Sequence, residues 1–175
     1  ILGAIADRIR IKKKIVWIYT LVGVVFTAFM GVAPHLDASS AYRLLAFCFL
    51  MGQIGMAGGN TIYYAFMPYL AEQNQMEKVS SWGFAYGFAG GSLILILHLV
   101  VLVTGAFGLT DAYGPWTLTF AFVTTSLWWL GFGLPFFRNT PEPEIANERS
   151  YGSIMEAVGD GFNEVRGTFR EVKKY

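Results

Sequence analysis

Four long stretches of this chain contain no Asp, Glu, Lys or Arg: Ile15–Leu36, Leu44–Ala71, Val79–Thr110 and Ala112–Phe137, of 22, 28, 32 and 26 residues. About 20 apolar residues, rising about 1.5 Å each as a helix, cross a hydrocarbon layer about 30 Å thick. Every run exceeds that length, so the sequence predicts four transmembrane helices. Only 14% of the residues are charged, against about 25% in soluble domains, and a water-soluble enzyme is excluded. A secretory signal would be one short apolar stretch ahead of a polar domain, which is not the pattern here. The net charge of +1 points to no nucleic-acid partner. The lone Cys48 lies in an apolar run and has no internal disulfide partner.

The predicted spans are about Ile15–Ala33, Leu44–Leu70, Ser81–Thr104 and Pro115–Phe137. Short connectors make them antiparallel neighbours, giving an all-α integral membrane bundle whose first partner is the lipid bilayer. Orientation follows from the basic residues, which concentrate in cytoplasmic loops. Twelve of the thirteen fall in connectors 7–14, 72–78 and 138–175, and Arg43 is alone on the other side. Those three connectors are therefore expected in the cytoplasm. The apolar stub Ile1–Ala6 reads as the end of a preceding helix.

Lipid tails are as apolar as leucine, so helices in a membrane associate through close packing at small residues. Gly52, Gly55 and Gly59 share a face of the second span, and Gly83, Gly87 and Gly91 recur every fourth residue on the third. They read as packing seams first, a reading compatible with their serving also as surfaces on which helices rock. Thr20, Gly23, Thr27 and Gly31 form a similar stripe on the first span.

Polar side chains in hydrocarbon face a bundle interior or a wet cavity. Gln53, Asn60 and Tyr64, at i, i+7 and i+11, share one face of the second span. Two readings stay open: the wall of a solute path, or hydrogen-bonding glue between helices worth about 1 kcal/mol per bond. His98 is the only imidazole deep in a span, and reads as a donor to a neighbouring helix ahead of a proton relay. The four runs hold no carboxylate, no metal-ligand spacing and no nucleophile–base pair, so neither a cofactor nor an enzymatic role is expected.

The first basic loop reads Gly3-Ala4-Ile5-Ala6-Asp7-Arg8-Ile9-Arg10-Ile11-Lys12-Lys13-Lys14. It resembles the G-x-L-A-D-R-x-G-R-R loop between the second and third helices of major facilitator superfamily transporters, matching at Gly3, Ala6, Asp7, Arg8 and Lys12. Arg10 stands in place of the second glycine and Ile11 in place of a basic residue. The run from Tyr63 to Ala71, followed by Val79 to Gly91, is similar to "YNAFLP … VSSLGWALGYLGGG" of the autophagy-related vacuolar amino-acid effluxers and their prokaryotic relatives, with Tyr64 at a common Asn position.

The resemblance implies that the four spans are helices three to six of a twelve-helix carrier, completed by the first helices and a C-terminal half of the same chain. It implies alternating access and efflux of amino acids or another small polar metabolite. The membrane would be a prokaryotic plasma membrane, or a vacuolar one in a eukaryote. It also implies that Asp7 locks the cytoplasmic side against a helix end of the other half, and that Arg8 pairs with an acid for which Glu72 is available. A membrane scaffold or assembly subunit remains the alternative.

The chain then divides into a bundle over 1–137 and a cytoplasmic linker over 138–175. In the linker Ser153-Ile154-Met155-Glu156 forms a capping box, and Ile154, Val158, Phe162, Val165, Phe169 and Val172 recur at helical spacing. This predicts an amphipathic helix lying on the membrane or against the helix ends.

Overall fold

The structure, a computed structural model, describes residues 11–111 and 114–142. Its long helices are α1 (Lys12–Met30), α2 (Ala38–Tyr64), α4 (Met76–Thr104) and α5 (Pro115–Asn139), with the single-turn α3 (Met67–Leu70) between α2 and α4. One-turn 3-10 segments follow α1 at Ala33–His35 and α4 at Ala106–Gly108, and no strand occurs among the described residues. The four long helices have the length and apolarity of membrane spans. The chain is an all-α membrane helix bundle. Gly3, Asp7, Arg8 and the predicted amphipathic segment lie outside the described residues.

Several boundaries differ from the expected ones, and α2 begins at Ala38, ahead of the expected Leu44. Lys12–Lys14 and Met76–Lys78, assigned to connectors by their charge, are the first turns of α1 and α4. Lys14 and Lys78 are exposed and extend toward water from a helical backbone, whereas Lys12 is buried. The second span ends at Tyr64 instead of Leu70. Pro68 has no N–H to donate, and its ring would strike the carbonyl four residues back, that of Tyr64. The chain therefore turns there, and Pro68 enters α3 in its first turn, where proline is tolerated.

Helix α1 is central, packed along α2 on one side and α5 on the other, while α4 meets α5 and α3 at only a few places. The seam with α2 is a backbone contact. A Cβ on Gly55 would lie 2.5 Å from the Gly23 nitrogen and 2.7 Å from the Tyr19 carbonyl oxygen. Gly58 lies beneath the Tyr19 ring, Gly59 meets Tyr19 Cβ, and Gly52 faces Thr27. On the opposite side of the same turn, Gly23 receives the indole of Trp129 from α5. Gly83, Gly87 and Gly91 of α4 have no described atom within 4 Å of an added Cβ.

The core sits at the end of the bundle that carries the lysines of α1. There Val16, Ile62 and Phe66 are buried, with Ile15, Phe136 and Phe137 packed against them. Edge-to-face ring contacts extend the cluster, with centroids 4.5 Å apart for Trp17–Phe137 and 5.3 Å for Phe66–Phe136. Elsewhere large apolar side chains point outward, among them Phe88 at 75% and Val103 at 76% exposure. Such a surface suits acyl chains and would aggregate in water.

At the opposite end Asp37 caps α2, its Oδ2 accepting the Ser40 N–H at 3.0 Å. Hydrogen bonds from the Ser40 backbone and then its hydroxyl hold the Asp37 carboxyl below its ordinary value. The lowered value means that the cap contributes above the unfolded pKa and is lost as pH falls through the folded one. The protection factors of the amides of residues 38–41, relative to their intrinsic exchange rates at each pH, are therefore expected to fall in acid in the wild-type protein and to be low already at neutral pH in Asp37→Ala. At the α1–α2 seam, Gly55→Ala is expected to destabilise the bundle by about 1–3 kcal/mol, because backbone cannot move aside as a side chain can. Thermal unfolding in detergent measures this.

Candidate functional site

The predicted polar stripe lies on the side of α2 away from its seam. Cys48, Gly55, Gly59 and Ile62 are buried toward the bundle, whereas Gln53, Asn60 and Tyr64 are exposed. At 100° per residue the two sets stand half a turn apart. Neither Gln53 nor Asn60 has a hydrogen-bond partner among the described residues. Thr61, beside them, turns its hydroxyl back to the Ala57 carbonyl at 2.8 Å, as hydroxyls in apolar surroundings do. An amide side chain in hydrocarbon has no such local option. This face of α2 must meet protein or water, and lipid is excluded as its only neighbour.

Tyr64 also borders a cleft of about 420 Å³, between the end of α2, α3 and the start of α4, that is lined by Tyr63, Met67, Gly83, Phe84 and Phe88 among others. Thus the structure brings Tyr64 together with Gly83 and Gly87, while Gln53 and Asn60 lie farther along α2. His98 is elsewhere. Its Nε2 lies 2.8 Å from the Thr124 hydroxyl of α5. Thr124 donates its one proton to the Phe120 carbonyl at 2.7 Å, so Nε2–H is the donor between the helices.

The lysine end carries a second polar cluster. Lys12 is buried, its ammonium 4.8 Å from the Tyr69 ring centroid and 3.5 Å from the Tyr69 hydroxyl. Helix α1 begins without a side-chain cap of its own, because Ile11 occupies the N-cap position. Glu142, beyond the end of α5, supplies one: both carboxylate oxygens accept the Lys13 N–H, at 3.1 and 3.2 Å. In return the Lys13 ammonium donates to the Thr140 carbonyl at 2.7 Å, at the C-terminus of α5. Each helix end thus receives the charge its dipole favours. Glu72 is exposed in the connector before α4.

Sequence reasoning missed Glu142, Thr124, Tyr69 and Trp129. An acid just after the last span was a legible capping signal, but which helix it caps depends on how the helices pack. Among the described residues no group of three His, Cys, Asp or Glu could hold a metal ion.

The family described as "Vacuole effluxer Atg22 like" matches residues 72–175, more than half of the chain. The chain belongs to that family. It is also 25% identical over all 175 residues to YxiO of Bacillus subtilis (strain 168), described as an uncharacterized MFS-type transporter, of which it spans 39% of the length. No solved structure matches it. Both findings agree with the major facilitator resemblance of the Gly3–Lys14 and Tyr63–Gly91 segments.

The His98–Thr124 bond is testable by itself. Hydrogen bonds between membrane helices contribute about 0.6 kcal/mol on average and at most about 2. His98→Phe and Thr124→Val should each lower unfolding stability in mixed micelles, and their combination should cost less than the two separate losses added together.

Proposed function

We propose that this chain forms part of a solute carrier working by alternating access, with α2 contributing a wall of the solute path. The carrying observation is the exposed Gln53–Asn60–Tyr64 face, opposite the glycine seam and unable to be satisfied by lipid. Family membership supports transport as the activity. In this reading amides and a phenol offer neutral donors and acceptors to a small polar solute such as an amino acid, moving outward.

The lysine-rich end faces the cytoplasm of a prokaryotic cell in this proposal, and residues 138–175 are the linker toward a second half. Asp7 and Arg8 gate that side, with Glu72 as the acid that Arg8 meets in one state and leaves in the other. A bond made in only one state biases a two-state equilibrium by its own free energy. The act is a change of access, without bond chemistry.

The test is accessibility within the full-length protein in membrane vesicles, with Cys48 replaced by Ala. Asn60→Cys is expected to react with a membrane-impermeant maleimide about tenfold faster than Ile54→Cys, because a polar path admits water and a lipid-facing surface excludes it. Equal rates at the two positions would remove α2 from the solute path.

A further inference from the structure

The reciprocal contact between Lys13 and the 140–142 segment joins two pieces of chain remote in sequence. The loop that resembles the carrier gate ends at Lys14, and α1 starts within it at Lys12. The segment after α5 begins the linker. Glu142 accepts the Lys13 backbone N–H while Lys13 Nζ holds the Thr140 carbonyl, so the loop's end and the linker's start are fastened by three hydrogen bonds.

Two features make this more than a surface ion pair. The Lys13 N–H is among the first amides of α1, which have no partner within their own helix, and the local N-cap residue, Ile11, has no side-chain acceptor. The acid is therefore the cap that α1 would otherwise lack. Its grip also does not depend on a flexible lysine alone, since it reaches backbone, and backbone amides report position directly. Next to it Lys12 is buried against Tyr69 of α3, and the Val16–Ile62–Phe66 cluster lies one turn deeper. The start of α1 is thus rigidly seated, and the linker is attached to that seat.

We propose that Glu142 is a positioning residue of the transport cycle, tying the linker to the gate loop so that a pull on one moves α1 and the other. This rests on the carrier reading above. Helix α1 converts the local contact into a distant one: its 19 residues form a rod about 28 Å long at about 1.5 Å per residue. At the far end Gly31 is held by α5, its carbonyl accepting the Thr119 hydroxyl at 2.6 Å, and His35 Nε2 lies 2.9 Å from the same hydroxyl. A tilt released at Lys13 therefore reaches the turn that leads into α2.

Hydrogen–deuterium exchange of the full-length protein in lipid nanodiscs tests the proposal without any solute. Glu142→Ala is expected to speed exchange at residues 12–14 about tenfold and to change exchange at residues 36–41, at the opposite end, about threefold. Lys13→Met, which keeps the backbone bond to Glu142 but removes the bond to Thr140, should change residues 36–41 in the same direction. Glu142→Gln keeps one acceptor oxygen and should fall between wild type and Glu142→Ala, and it serves as the readout should the alanine variant fail to fold.

A change confined to residues 12–14 in these variants would reduce Glu142 to a local helix cap and overturn the proposal. No change at either end would overturn it as well. Because this readout does not involve Asn60, failure of the tie and failure of the solute path are distinguishable.

Discussion

The bundle depends on the approach of α1 to α2 at Gly23 and Gly55, where a single methyl group would collide with backbone. In water, burial of apolar side chains could bring two such helices together. In lipid that drive is absent, and only dispersion at short range, with the small residues that permit it, distinguishes a packed helix from a solvated one. The Trp129 indole, filling the other side of Gly23, extends the same logic to α5. One residue without a side chain therefore lets three helices meet, and α4, which has no comparable contact among the described residues, stands to the side.

Once these helices are close, their ends can cap one another. Asp37 serves its own helix, a local device. Thr119 and Glu142 instead reach across, to the Gly31 carbonyl and the Lys13 amide. Unsatisfied backbone groups are costly near a hydrocarbon layer, so the cross-helix bonds protect as well as join. The result is a three-helix unit tied at both ends, with its aromatic cluster at one of them.

That unit also orients the polar face. Since the glycine side of α2 is occupied by α1, Gln53, Asn60 and Tyr64 are turned away from it, to a side where another element or a water-filled path must lie. This face was legible from spacing alone, because 3.6 residues per turn place i, i+7 and i+11 together in any helix. Its position relative to His98 was not legible. His98 shares a helix stripe with Gly87 and Gly91, yet its bond runs to Thr124 of α5, which no periodicity on α4 could reveal.

The sequence by itself determined the class of fold and marked the four spans seen among the described residues, because so long a run of mostly apolar residues is stable only out of water, where its backbone must be satisfied within a helix. The turn at Pro68 fell inside the span expected over Leu44–Leu70, although its cause is a steric matter of neighbouring residues. Only the tertiary structure decided which glycines bear a helix, which acid caps which amide and which neighbour receives the histidine. Those are relations between segments up to 129 residues apart, as from Lys13 to Glu142. Helical periodicity orders residues around one axis and is silent on the distance to the next, and that distance is set by close packing among all the helices at once.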